Sequence, residues 1–228
     1  RNNLKAVKLK PNFSSAIANV GLRYRGKGDL SESLDWYTKA RKINPNNRVG
    51  TTQFAFAHAL IGEEEMAEKI FLDGITNDKY AFPLYWGLVR HYLTNGKYNK
   101  AKYYVDEVTS LMSDDERYND LASIFYLYTK DYKQALIHSN KINNPNDNQK
   151  LRTAFLNYKL GRNFNLQSLK QRSLKVINDG GNYYQTNPYL ILSQIFAIEN
   201  KKLESYKWFD EAINDGFSNY KILMTNPM

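Results

Sequence analysis

Cysteine is absent from all 228 residues, which excludes disulfides, thiolate zinc sites and cysteine nucleophiles. That absence is compatible with a reducing, cytoplasmic compartment. No run of about 18 apolar residues occurs, so no segment is suited to cross a bilayer as a helix. No signal peptide is visible either. Histidine is scarce: His58, His91 and His138 stand singly, without a two-histidine helical spacing or a His-Glu-x-x-His. No metal is expected on that pattern. Gly26-Lys27-Gly28 lacks the strand and spacing of a phosphate loop, no cofactor-binding motif occurs, and no Ser/His/Asp set can be assembled without inventing proximity. The chain does not read as an enzyme.

Charge is plentiful but segmental. The net charge is +9. It divides into about +8 over residues 1–50, −5 over 51–120, +7 over 121–180 and −1 over the remainder. A nucleic-acid binder is expected to hold a continuous basic track, and here an acidic block interrupts it. Nucleic acid is therefore disfavoured as a partner. Glu63-Glu64-Glu65 looks like an acid cluster, but it follows Gly62 at a helix start, where carboxylates meet the positive end of the dipole.

What the chain does have is a period. Gly28, Gly62 and Gly96 fall 34 residues apart, with Lys130 in the next slot. Ser33, Ala67, Ala101 and Ala135 keep that interval, as do Tyr24, His58, Tyr92 and Tyr126. A period of this length implies stacked helical hairpins, none able to bury its apolar face alone. In the first unit, Ile17, Val20, Gly21 and Tyr24 form a helical stripe, and Gly28 ends the helix in a left-handed conformation. Asp29-Leu30-Ser31-Glu32 opens a second helix with a capping pattern, and Asn44-Pro45-Asn46-Asn47 stops it. Ser113 with Glu116 reads as a capping box at the entry of the fourth unit.

These residues resemble the tetratricopeptide repeat signature. It appears as Ile17, Val20-Gly21, Tyr24, Ser33, Tyr37, Ala40 and Pro45 in unit one. Units two to four carry Ala55, Gly62, Ala67 and Phe71; then Tyr85, Leu88, Tyr92 and Ala101; then Ser123, Tyr126 and Ala135. The fifth departs from the pattern, lacking the small residue early in its second helix, and the sixth recovers after an extra residue near Asn200. The resemblance implies an all-α, right-handed α-α superhelix of about six hairpins forming one solenoid over 1–228. Repeats are placed at about 14–47, 48–81, 82–115, 116–146, 147–185 and 186–217, with a partial repeat at 1–13 and a closing helix at 218–225. Residues 1–13 read as the tail of a second helix, so the chain is expected to be part of a longer protein. The ending from Trp208 to Pro227 looks like the closing repeat in bacterial nucleotide cyclases and transcriptional regulators, where repeats accompany a separate effector domain.

In such stacks the first helices line a concave side. The inward slots hold Leu22, Arg25, Phe56, Trp86, Arg90, Ile124, Leu127 and Phe155, an apolar strip with two arginines beside it. Strips of this kind mark binding surfaces, although aromatics can also pack between hairpins. The slots that form a chaperone-tail carboxylate clamp in some relatives hold Ala18, Leu22, Gln53, Pro83 and Gly87, none suited to it. The expected function is a protein-interaction scaffold that binds a peptide, a protein segment or another domain of its parent protein. RNA recognition, as in pentatricopeptide arrays, is the alternative.

Overall fold

The computed structural model describes residues 2–26, 28–112, 117–179 and 187–215. All regular elements among them are helices, grouped into two compact units, Arg1–Asp114 and Asp115–Phe217. The first holds α1 (Asn2–Leu9), α2 (Ser14–Gly26), α3 (Leu30–Ile43), α4 (Arg48–Leu60), α5 (Glu64–Asn77), α6 (Phe82–Thr94) and α7 (Tyr98–Leu111). The second holds α8 (Arg117–Tyr128), α9 (Tyr132–Ser139), α10 (Asp147–Lys159), α11 (Gln167–Asn178), α12 (Pro188–Ile198) and α13 (Lys202–Asn214). The expected capping box at Ser113 and Glu116 and the closing helix at 218–225 lie outside the described residues.

Hairpins form because each first helix ends on a residue that can turn left-handed. Gly28, Gly62, Gly96 and Gly161 have positive φ, and so do Lys130 at 63° and Asn200 at 60°. The amide of each donates back to a carbonyl three residues earlier, as in Gly28 N–H to Arg25 O at 3.0 Å and Lys130 N–H to Leu127 O at 3.1 Å. At the glycine turns and at Asn200 the following amide reaches a carbonyl five residues back, as in Asp29 to Tyr24 at 3.0 Å and Lys201 to Phe196 at 2.8 Å. This pair satisfies the orphan carbonyls of the helix end. Asn200, which reads in sequence as an extra residue, is the turning residue of its own hairpin.

Two of the second helices, α3 and α9, start on side-chain caps, whereas α5, α7, α11 and α13 start without one. Asp29 accepts from the Glu32 amide at 3.2 Å, Asp131 from Gln134 at 3.1 Å and Asn47, at the start of α4, from Gly50 at 3.0 Å. The full reciprocal capping box sits elsewhere, at Asn146 and Gln149 before α10.

Small residues let the two helices of a hairpin touch. Ser33, Ala67, Ala101 and Ala135 are each 0% exposed. Ser33 Oγ donates to the Gly21 carbonyl, and Ser123 Oγ to that of Ala135, both at 2.9 Å. The fifth hairpin has no such residue. Leu166 and Leu169 enter the core instead, and the link lengthens to 160–166 where the other hairpins use three residues. Accordingly α10 lies against α9 and α12, and α11 against α12, while α10 and α11 approach each other less closely than other hairpin partners. Bulk between helix surfaces sets their spacing.

Candidate binding interface

In the first unit α4 packs against both α2 and α6, so the three first helices form a layer. Leu22, Phe56 and Arg90 occupy equivalent positions on successive helices of that layer, and Ala18, Thr52 and Trp86 form the adjacent row. Leu22, Arg25, Phe56, Trp86 and Arg90 are each partly exposed. The Phe56 and Trp86 rings meet at 6.2 Å in a T-shaped contact, and the Arg90 guanidinium lies 4.6 Å from the Trp86 ring centroid. Beneath them Phe71 is fully buried and meets Phe56 edge-on at 5.5 Å. Leu22 packs on the small core of Ile17, Tyr37, Ala40 and Ala57.

Arg25 is held below the ordinary guanidinium range by burial, an effect that the nearby Tyr37 phenol partly offsets. Burial in turn raises Tyr37. No described carboxylate forms an ion pair with Arg25. The charge of this unit is sorted by layer: α2, α4 and α6 contain no Asp or Glu, while they carry Arg23, Arg25, Arg48 and Arg90. The unit's described carboxylates lie on α3, α5 and α7 or in the connecting segments. Arg48 is already paired, with Asp78 at 2.5 Å.

The second unit treats the corresponding positions differently. Ile124 and Leu127 on α8 and Phe155 on α10 are only 8%, 3% and 6% exposed. Leu127 and Phe155 belong to a core with Leu136, Leu151, Ile191 and Ile195. They are therefore not an accessible strip. The unit packs Leu127 and Phe155 into its own core with residues of α9, α10 and α12, so what the sequence reads as an inward face is buried here. Arg152 and Asp120, on α10 and α8, form an ion pair in which the arginine side chain is 7% exposed.

The acidic run has a structural task that its sequence position only partly signals. Glu64 and Glu65 do lie in the first turn of α5. Glu63, however, turns to His58, with Oε2 2.6 Å from Nδ1, and caps no amide. Glu64 Oε2 accepts from Asn95 at 3.0 Å and lies 3.3 Å from Nδ1 of the buried His91. Glu68 accepts from Tyr92 at 3.0 Å, Lys97 at 3.2 Å and Lys100 at 2.8 Å. Burial alone pushes the Glu68 carboxyl up, but the hydrogen bonds from Lys100, Lys97 and Tyr92 prevail and hold it down at about 2. Glu64 and Glu68 tie the second hairpin to the third. Their partners on α6, on α7 and in the link between them lie about one repeat downstream, so the signal available in sequence is the repeat interval itself.

His58 also packs edge-on against Phe54 at 4.4 Å, and His138 stacks on Tyr126 at 5.6 Å while facing Asn119 Oδ1 at 3.0 Å. Each histidine is thus engaged in packing. Among the described residues no group of three His, Asp or Glu is placed to hold a metal, and no helix is long and apolar enough to cross a membrane.

No family model and no curated protein matches the chain. Solved structures do. A tetratricopeptide repeat protein from Parabacteroides merdae aligns with TM-score 0.58 at 17% identity, covering 98% of this chain and 88% of that one. Pseudomonas aeruginosa PilF aligns with TM-score 0.51 at 16% identity, over 92% of each chain. The APC/C hetero-tetramer Cut9–Hcn1 provides a further match, TM-score 0.52 at 14% identity, over 92% of this chain and 44% of that one. The fold is accordingly the all-α helical-hairpin fold of tetratricopeptide repeat proteins.

Proposed function

We propose that the protein binds a polypeptide segment on the layer formed by α2, α4 and α6, with Phe56 and Trp86 as the apolar anchor. The observation that carries this is the half-open Phe56–Trp86 pair, backed by a fully buried Phe71 and flanked by Arg90. Partly exposed aromatic and arginine side chains on a rigid backing are the usual anchors of protein interfaces. The site comprises Leu22, Arg25, Phe56, Trp86 and Arg90, without the three residues that the second unit buries. By the resemblance of its ending, the module would act as the regulatory part of a larger protein, a point decided by the full reading frame.

Trp86→Ala tests the site. Peptides selected from a displayed random library on the wild-type protein should bind this variant about 2 kcal/mol more weakly, roughly thirtyfold. The helical circular dichroism should stay nearly unchanged. Parallel loss of helicity and binding would assign Trp86 to the core and remove it from the site.

A further inference from the structure

We infer that the segment bound by this layer is acidic: an apolar or aromatic anchor flanked by carboxylates, which meet Arg25 and Arg90. The inference rests on reading the layer as a peptide site and adds the chemistry of the occupant.

Charge complementarity carries it. Three neighbouring helices hold four arginines and no acid, in a unit whose second helices are rich in Asp and Glu. One of the four, Arg48, is satisfied by Asp78. Arg25 is partly buried, desolvated enough to lower its pKa, and paired with no described carboxylate. A desolvated cation without a counter-charge costs free energy that an incoming carboxylate recovers. Arg90 is held over Trp86, so a carboxylate bound there would sit beside the apolar anchor. A partner rich in lysine would meet the reverse: like charges brought together in a partly dehydrated setting.

The same arginines could attract a phosphate backbone, but the rings do not suit nucleic acid. Single-stranded binding relies on open aromatic faces on which bases stack. Here the Arg90 guanidinium covers Trp86 at 4.6 Å, and the Phe56 contact at 89° uses a further part of the ring surfaces.

The test uses the whole chain and three fluorescein-labelled peptide pools of equal length. Each pool has fixed Trp and Leu anchors and randomised flanks drawn from Asp/Glu/Ser, Asn/Gln/Ser or Lys/Arg/Ser. In fluorescence anisotropy the acidic pool should bind about tenfold tighter than the neutral pool at low salt. That advantage should fade toward 0.5 M salt on the order of the screening expected for partly exposed pairs. The basic pool should bind weakest. Arg25→Gln and Arg90→Gln, checked for unchanged helicity, should each lower affinity for the acidic pool more than for the neutral pool, so that the acidic-over-neutral ratio shrinks. Equal binding of acidic and neutral pools overturns the inference yet leaves the peptide site standing. Absence of binding by every pool overturns both. Tighter binding of a fluorescein-labelled oligouridylate than of the acidic pool assigns the layer to RNA and likewise overturns it.

Discussion

Gly87 sits in the middle of α6, close against Phe71 and Thr52 of the second hairpin. A Cβ built there would lie 2.3 Å from Phe71 Cε1, 2.8 Å from Cζ and 3.1 Å from Thr52 Cγ2. Carbon atoms rest at about 3.5–4.0 Å, so the Phe71 ring would have to retreat by more than about 1 Å. It has no room. Phe71 is 0% exposed and is flanked by Phe56 at 5.5 Å and His91 at 6.1 Å. Overpacking of this kind costs about 1–3 kcal/mol. Replacing glycine by alanine within a helix returns at most about 1 kcal/mol; a 2.3 Å contact belongs at the upper end of the overpacking range, about 2–3 kcal/mol, so steric cost wins by roughly 1–2 kcal/mol. For a chain of this size that lowers Tm by about 2–8 °C. Gly26→Ala is the internal control, because its added Cβ meets nothing within 4 Å. Thermal unfolding followed at 222 nm should place Gly87→Ala below the wild type and Gly26→Ala level with it or above. A Gly87→Ala protein that melts at or above the wild-type temperature would falsify the packing argument at this contact.

Other substitutions probe the repeat logic. Lys130 holds a φ of 63° that costs an L-residue about 1–2 kcal/mol, so Lys130→Gly should stabilise by about 0.5–1 kcal/mol after the added unfolded-state entropy of glycine; a lower urea midpoint would contradict the turning role. Ala101→Leu forces a branched side chain into a 0%-exposed helix contact and should destabilise by about 1–3 kcal/mol, whereas an unchanged melting curve would show that the 34-residue register is misplaced. His91 is held below the usual imidazole range, chiefly by burial, with Lys97 next in weight. Its contribution to stability is complete above about pH 6.5 and is lost as the pH falls through that value toward the folded pKa. The urea midpoint should therefore drop between about pH 7.5 and about pH 5.5, and drop less in His91→Leu. Equal drops in both proteins would relieve His91 of that role.

Hairpin order and helix boundaries were legible because their determinants are local. Gly28, Gly62 and Gly96 announce left-handed ends, and the Asn and Asp caps announce starts, each within a few residues of the event. The small residues Ser33, Ala67, Ala101 and Ala135 marked the hairpin contacts for the same reason: the constraint is steric and repeats every 34 residues. At the candidate site, position within the repeat was legible and exposure was not. Phe56 and Ile124 occupy equivalent repeat positions, yet one remains partly open and the other is core. Which of these happens depends on how neighbouring helices are spaced. In the second unit Leu127 and Phe155 share a core with Leu166 and Leu169, contacts that no pattern local to α8 announces. The partners of Glu63, Glu64 and Glu68 were missed for a related reason, since a run of acids carries no mark of the bases it will meet.

Glu68 binds two lysines and a tyrosine of the neighbouring repeat, and Glu64 binds a histidine and an asparagine there. In a linear array, stability is a sum of per-repeat terms and nearest-neighbour couplings. A junction laced with several charge-assisted contacts weights one coupling above the rest. Residues 48–111 should then behave as a single cooperative block, exchanging their amide protons together while the flanking turns fray independently.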